Sequence, residues 1–265
     1  FTTTEESYRI DKLPVGKYKL VETEAPAGYV KAENISFEVL EKSEIQKVEM
    51  KEDYTKLEII KTDKETGKLV VGAKLQIQNE SGEVVKEFTT TEESYRIDKL
   101  PVGKYKLVET EAPVGYVIAA DIAFEILEKA EVQTVEMKED YSKIEIVKLD
   151  KETGEAIKGV KLQIQNMDGE VIDEWVTDGS VYKINKLPVG KYKIVVVEAP
   201  KGYEETEDVV FEVTETSEIK EISVESEKIT NTENKPDIEN KPDTESKPDT
   251  ENKPDIENKT DTENK

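Results

Sequence analysis

The sequence predicts an all-β protein built from tandem immunoglobulin-like β-sandwiches, and three observations support that prediction. Short runs such as Leu57 to Lys61 alternate apolar and polar residues with the two-residue period of a strand. Turn residues separate these runs, as in Glu65-Thr66-Gly67 and Pro101-Val102-Gly103. The pattern returns every 87 residues, a length that fits about seven short strands of a sandwich. A small β-barrel is the alternative architecture.

The strands can be assigned in order along one repeat. In the second repeat, seven runs have apolar residues at alternate positions or a short apolar core, and they lie at residues 57–61, 75–77, 84–88, 95–97, 105–109, 122–126 and 135–139. β-Branched and aromatic residues are frequent in these runs, which favours strands over helices. The same runs are expected 87 residues later in the third repeat.

The repeat divides the chain into four parts. The segment KYKLVETEAPAGY begins at Lys17 and recurs as KYKLVETEAPVGY from Lys104 and as KYKIVVVEAPKGY from Lys191. Aligning the copies predicts the C-terminal part of a repeat at 1–54, complete repeats at 55–141 and 142–228, and a tail at 229–265. One repeat leads directly into the first strand of the next, so we expect no flexible linker between them.

Composition excludes several kinds of chemistry. The 265 residues contain no cysteine and no histidine, which excludes disulfides, thiol nucleophiles, Cys/His zinc sites and histidine-based triads. The net charge of -23 argues against binding to nucleic acid or an anionic membrane, because both require clustered Lys or Arg. No apolar run approaches the roughly 20 residues of a membrane-spanning helix. We therefore expect no enzyme activity, cofactor, metal site or membrane span.

Three predicted strands of the second repeat each end in an ionisable residue on the apolar face. These residues are Lys61, Glu109 and Glu139, and strand alternation should point all three into one core. Burying an isolated charge is costly, so a lysine and two carboxyls that share one proton would form a neutral set. Burial also favours an uncharged amine and an uncharged carboxyl, which are the reactants of amide formation.

Four motifs of the second repeat, in this order, carry a family resemblance. They are LEIIKTDKETG around Lys61, Gly72-Ala73-Lys74-Leu75, LPVGKY at 100–105 and VETEAPVGY at 108–116. Together they resemble the Cna B-type, or SpaA-like prealbumin-fold, domain of Gram-positive surface proteins, and the match covers all three repeats. The resemblance implies a reverse-immunoglobulin sandwich. It also implies an isopeptide bond between a first-strand Lys and a last-strand Asn or Asp, promoted by the Glu of the ETxAPxGY motif.

The resemblance further implies where such a protein works. The family supplies stalk modules of wall-anchored adhesins and pilins, outside the cell and on the cell wall. Partners would then be host matrix or surface proteins, reached through an N-terminal domain, and peptidoglycan, reached through a C-terminal anchor. We expect both parts to lie outside this sequence. Repeats that themselves bind host matrix multivalently, and a pilus subunit, are the alternatives.

The acceptor position departs from the family pattern. It holds Glu52 in the first repeat and Glu139 in the second, each one methylene longer than Asp. A β-bulge could instead turn Asp140 inward as the acceptor. The first repeat retains only a partial set, Glu22 and Glu52.

The third repeat has lost both carboxyls. The corresponding residues are Lys148, Val196 and Ser226, and a hydroxyl cannot form an amide with a lysine. We therefore expect no cross-link there, and we expect Lys148 to extend its ammonium to solvent along its apolar stem.

The tail has a different composition from the repeats. Six-residue units such as NKPDIE and NKPDTE recur from Asn234, with proline at positions 236, 242, 248 and 254. Almost no apolar side chains are available to form a core, so residues 229–265 are predicted to be a disordered, extended spacer.

Overall fold

The computed structural model describes residues 1–4 and 6–229, and this part of the chain contains nineteen strands and no helix. The predicted spacer lies outside the described residues from position 230 onward. No described segment has the length and apolarity of a helix that crosses a bilayer. The all-β prediction is confirmed.

The first repeat contributes four strands, β1 Gly16–Leu20, β2 Tyr29–Val30, β3 Ile35–Val39 and β4 Asp53–Tyr54. They form two small antiparallel sheets, one from β1 and β3 and the other from β2 and β4.

The second repeat is a complete sandwich of eight strands. They are β5 Lys56–Asp63, β6 Lys74–Asn79, β7 Val84–Thr89, β8 Tyr95–Asp98, β9 Gly103–Glu111, β10 Tyr116–Val117, β11 Ile122–Ile126 and β12 Val132–Tyr141. One sheet has the order β10-β12-β5-β8 and the other the order β11-β9-β6-β7. Two separate sheets make this a sandwich and not a small barrel, and the strand additional to the predicted seven is the two-residue β10.

The third repeat has the same plan with seven strands. They are β13 Lys143–Asp150, β14 Lys161–Asn166, β15 Val171–Val176, β16 Tyr182–Asn185, β17 Gly190–Val196, β18 Val209–Val213 and β19 Ile219–Ser226. The sheets have the orders β16-β13-β19 and β15-β14-β17-β18.

The first and last strands of each complete repeat are parallel neighbours. β5 pairs with β12 in an unbroken register that sets Lys61 opposite Met137, and β13 pairs with β19 in the same way. Leu57 and Ile59 on β5 are buried, as is Met137 on β12. The strand period therefore places Lys61 in the core together with these apolar side chains.

Consecutive repeats are joined by a single residue outside the strands. Thr55 separates β4 from β5, and Ser142 separates β12 from β13. Both residues are buried. The hydroxyl of Thr55 donates to the carbonyl of Leu100 at 2.6 Å, and that of Ser142 donates to the carbonyl of Leu187 at 2.7 Å. Each joining residue is thus held by a hydrogen bond to the repeat that follows it.

Candidate functional site

Three ionisable side chains of the second repeat meet between its two sheets. Lys61 comes from β5, Glu139 from the adjacent β12 and Glu109 from β9 in the opposite sheet, and they are 3%, 0% and 4% exposed. Lys61 Nζ donates a hydrogen bond to Glu109 Oε2 at 3.0 Å and contacts Glu139 Oε2. Glu139 is therefore the last-strand carboxyl that lies next to the amine.

The two carboxyls of this site differ in their surroundings. Glu109 Oε2 also accepts the backbone N–H of Ala119 at 2.6 Å, whereas Glu139 is paired with Lys61 and accepts no backbone N–H among the described residues. Burial and, to a smaller extent, the neighbouring Glu109 raise the pKa of Glu139 to about 7, against the opposing effect of Lys61. Glu139 can therefore hold a proton near neutral pH, while Glu109 is arranged as a fixed acceptor.

The set offers an amine beside a carboxyl that can be uncharged. One ammonium and two carboxylates would leave an unbalanced negative charge in the core, and one shared proton removes it. The same proton makes the Glu139 carboxyl carbon a better electrophile, because its hydroxyl can leave as water.

The core beside Lys61 has no room for a substrate. The cavity there has a volume of about 10 Å³ and is lined by Ile59, Val70, Thr90 and Tyr95 in addition to Lys61. That is roughly the space of one water molecule, far below a small-molecule pocket. The chemistry open to this site is therefore between its own side chains.

The structure does not turn Asp140 inward, which contradicts the alternative in which a β-bulge makes it the acceptor in place of Glu139. β12 pairs with β5 without a bulge as far as Glu139, and the next side chain consequently faces the other way. Asp140 accepts hydrogen bonds from Lys64 at 2.8 Å and pairs with Lys143 at 2.9 Å. These cations hold its pKa at about 2, although partial burial acts in the opposite direction.

The first repeat brings its two predicted carboxyls together. Glu22 Oε2 accepts the backbone N–H of Ala32 at 2.7 Å, the same contact that Glu109 makes with Ala119. Burial and a hydrogen bond with Glu22 raise the pKa of Glu52.

Lys148 of the third repeat is buried, so the expectation that it reaches solvent is wrong. Its side chain lies between the sheets and is 2% exposed. Nζ is 3.5 Å from Thr206 Oγ1, and the Thr206 hydroxyl is 2.7 Å from Ser226 Oγ. Burial lowers the pKa of Lys148 to about 8, and the charge of Glu225 opposes this only in part. Val196 is half-buried and packs on the apolar core.

Sequence reasoning missed Thr206. The repeat period places it where the second repeat has Ala119, whose backbone N–H is bound by Glu109. The signal was present in the alignment: Val196, Thr206 and Ser226 all differ from the second repeat. In the third repeat, two hydroxyls thus take the place of two carboxyls around the lysine.

Metal binding has no visible site in the described part of the chain. No group of three or more Asp or Glu side chains there is arranged to hold an ion.

Comparison with known proteins assigns the fold to a family. The model of the SpaA family, a prealbumin-like fold domain, matches residues 1–54, 55–141 and 142–228. No curated protein matches the chain. Among solved structures, the Bacillus anthracis TIE protein is 35% identical over 82% of this chain and 43% of that chain, with a TM-score of 0.45. This chain therefore spans less than half the length of the TIE protein.

Two pilins are more distant matches. The Streptococcal ancillary pilin is 18% identical over 82% of this chain and 76% of that chain, with a TM-score of 0.35. The shaft pilin SpaA from Lactobacillus rhamnosus GG is 16% identical over 65% of this chain and 96% of that chain, with a TM-score of 0.32. With three matches of the family model along the described strands, the chain belongs to the SpaA family of prealbumin-like fold domains.

Proposed function

We propose that these repeats form the stalk of a wall-attached surface protein of a Gram-positive bacterium, outside the cell. The observation that carries this proposal is the junction: consecutive sandwiches are joined by one buried residue, Thr55 or Ser142. Modules joined in this way add length and keep a defined connection to their neighbours. The sealed core of the second repeat supports a structural and not an enzymatic role.

The stalk would hold an N-terminal adhesive or otherwise functional domain away from the wall. That domain would contact host matrix or surface proteins, and a C-terminal anchor would attach the protein to peptidoglycan. The strongly acidic composition, with a net charge of -23, is compatible with an exposed and well-solvated surface.

We further propose that an amide between Lys61 and Glu139 locks the second repeat. Glu109 takes a proton from the Lys61 ammonium, the resulting uncharged amine attacks the protonated Glu139 carboxyl, the attacking nitrogen passes a second proton to the departing hydroxyl, and one water leaves while Glu109 keeps its proton. The position of Glu139 beside Lys61, and its pKa of about 7, support this choice of acceptor. The bond would join the first and last strands, so that pulling on the ends would not separate them.

Mass spectrometry tests the amide directly. Loss of water lowers the intact mass by about 18 Da per bond, and proteolysis should yield one branched peptide that contains Lys61 and Glu139. The Lys61→Met chain is the control and should show the mass calculated from its sequence. A full calculated mass for the parent chain would disprove the amide and leave the stalk proposal intact.

Surface plasmon resonance separates the stalk from its main competitor, an array that itself binds host matrix. The near-identity of the first two repeats would suit multivalent binding as well as length. The chain is immobilised and exposed to collagen, fibrinogen and fibronectin. A pure spacer gives no saturable signal with any of them, whereas specific saturable binding would overturn the spacer role.

A further inference from the structure

The C-terminal end of the second repeat holds a polar socket that the third repeat fills. Asp63, Tyr116 and Tyr141 form this junction socket, and the Tyr116 hydroxyl donates to Asp63 Oδ2 at 2.9 Å. Lys186 Nζ of the third repeat donates to Asp63 Oδ2 at 2.8 Å and to the Tyr116 hydroxyl at 2.6 Å. It also lies 4.4 Å and 4.9 Å from the ring centroids of Tyr116 and Tyr141. The side chain of Asp63 is 2% exposed and that of Lys186 is 38% exposed, so the carboxylate is buried and the ammonium is partly open to water.

The backbone at this junction is also specialised. Lys186 has a φ of 62°, a left-handed backbone conformation that residues other than glycine rarely adopt. Its backbone N–H donates to the Ser142 carbonyl at 2.9 Å. Gly115 has a φ of 84°, and a Cβ there would lie 2.2 Å from the Lys186 carbonyl oxygen. The second repeat thus needs glycine at position 115 so that the backbone at Lys186 can approach.

The junction between the first and second repeats is built in the same way. Lys99 has a φ of 62° and donates to the Tyr29 hydroxyl at 2.6 Å. Its Nζ lies 4.5 Å and 5.5 Å from the ring centroids of Tyr29 and Tyr54. A Cβ on Gly28 would lie 2.2 Å from the Lys99 carbonyl oxygen. A left-handed lysine docked on a tyrosine pair and a glycine is therefore a repeated device.

The third repeat has the same socket, but a lysine of the third repeat itself occupies it, and not a lysine of a following repeat. Tyr203 donates to Asp150 Oδ2 at 2.7 Å, as Tyr116 does to Asp63. The cation is Lys228, whose Nζ lies 2.8 Å from Asp150 Oδ2. The repeat period places Lys228 where the other two repeats have Tyr54 and Tyr141.

Two further features separate this end from the two junctions. Ile229 stands at the position of Thr55 and Ser142, so the hydroxyl that binds the next repeat is missing. Gly202 keeps a φ of 87°, yet no atom of the described residues lies within 4 Å of a Cβ built there. The third repeat therefore keeps the socket residues Asp150 and Tyr203. Its cation is its own Lys228, and Ile229 replaces the hydroxyl residue of the two junctions.

We propose that the end of each repeat is a docking site for the left-handed lysine of a following SpaA-like repeat, and that Lys228 closes this site in the third repeat. The partner that fits the site is a repeat of the same kind, recognised by its ammonium and by its close backbone approach to the glycine. The third repeat is then a terminal repeat of the array. This assignment concerns how repeats join, and it holds whether they act as a spacer or as a binding array.

Spin labels on introduced cysteines test the docking site, because the chain has no cysteine of its own. Labels at Ser81→Cys and Asp168→Cys occupy equivalent exposed turns of the second and third repeats. Double electron–electron resonance on the labelled but otherwise unchanged chain should give a narrow distribution of the distance between the two labels. Lys186→Met and Gly115→Ala should each widen it.

Matched controls isolate docking from general damage. Lys183→Met removes a surface lysine of the same repeat, and Gly202→Ala imposes the same unfavourable φ as Gly115→Ala without a neighbour to meet. Both controls should leave the distribution narrow. Fluorescence of Trp175, the one tryptophan, verifies that the third repeat stays folded in every variant. A wide distribution in the parent, or an unchanged one in folded Lys186→Met, would overturn the docking site.

The closing role of Lys228 is tested by adding a repeat. A copy of residues 143–229 is inserted after Ile229, so that Ile229 is the single joining residue, with labels at Asp168 and at its counterpart in the copy. With Lys228 and Ile229 in place, the distances between the two labels should be widely distributed. The distribution should become narrow when Lys228→Tyr and Ile229→Ser reopen the site. Equally narrow distributions in both chains would show that Lys228 does not close the site, and equally wide ones would show that these two residues do not define it.

Discussion

Replacing Lys148 by methionine should stabilise the third repeat, because the substitution removes a buried ammonium that has no carboxylate partner. Nζ is 3.5 Å from Thr206 Oγ1, its one hydrogen-bond acceptor among the described residues, and Thr206 Oγ1 and Ser226 Oγ are 2.7 Å apart and can satisfy each other. Methionine has a similar length and no charge. The substitution therefore removes a penalty and leaves no buried hydroxyl without a partner.

The size of the effect follows from the pKa of Lys148. Burial lowers it from 10.5 to about 8, and each pKa unit corresponds to about 1.4 kcal/mol. Keeping the ammonium in the core at pH 7 thus costs about 3 kcal/mol, of which imperfect packing of methionine would take back a part. We expect the Lys148→Met repeat to be more stable by about 1–3 kcal/mol, or roughly 4–8 °C in Tm per kcal/mol for a domain of this size.

Trp175 makes the measurement specific to the third repeat. It is the one tryptophan of the chain, it packs on the core of that repeat, and its ring stacks on Tyr182 with centroids 4.2 Å apart. Urea unfolding of the full chain, followed by tryptophan fluorescence, therefore reports this repeat alone. Lys183→Met is the control, because that lysine is 66% exposed and its pair with Glu145 contributes little.

The pH dependence supplies the test of the reasoning. The folded repeat releases the Lys148 proton near pH 8 and the unfolded chain near pH 10.5. Between these values the unfolded state binds more protons, so the stability of the parent rises with pH. The advantage of Lys148→Met should accordingly shrink from pH 8 to pH 10.5. A variant less stable than the parent at pH 7, or a difference that is constant over this range, would refute the reasoning.

Three other variants follow from the two buried sites. With the amide, Glu109→Ala should restore the lost water in the intact mass, and without it the same change should cost about 3–5 kcal/mol by breaking a buried ion pair; an unchanged water deficit would contradict the role of Glu109 in amide formation. Thr206→Ala should destabilise the third repeat by about 1–2 kcal/mol in urea unfolding, because Ser226 and Lys148 both lose their partner; equal midpoints would show that the hydroxyl pair is not needed. Combining Val196→Glu, Thr206→Ala and Ser226→Glu should create a cross-link to Lys148, visible as a further loss of about 18 Da; an unaltered mass would mean that these residues are insufficient.

The fold could be predicted from the sequence because its signals are local. Alternation in Leu57 to Lys61 and in Val135 to Glu139 sets which side chains face the core, and the parallel pairing of β5 with β12 brings the two runs together. Turn residues such as Gly67, with a φ of 67°, mark where strands end. The alternation and turn rules need no knowledge of distant contacts, whereas the pairing of β5 with β12 is known only from the structure.

The fate of Lys148 was not predictable from the same rules. Lys148 faces Val196 and Ser226, which replace the two carboxyls of the second repeat. Because neither residue can form an ion pair with the lysine, the sequence predicts that its side chain extends to solvent. The partner, Thr206, lies in a loop segment before β18, where strand alternation gives no information about direction. The junction socket was missed for a related reason, because it joins residues of two repeats, Asp63 and Lys186, that are 123 positions apart.

The third repeat separates what builds the sandwich from what its buried charges do. It forms the same kind of two-sheet sandwich as the second repeat, without a counterpart of β10, although it lacks both carboxyls. A further difference lies beside the lost carboxyl: β17 ends at Val196, whereas β9 continues two residues past Glu109, to Glu111. Glu109 fixes the chain at Ala119 through a 2.6 Å hydrogen bond, and Val196 cannot make that contact. Apolar alternation and turns thus suffice for the fold, and the charged set places an amine and a carboxyl in contact within the second repeat.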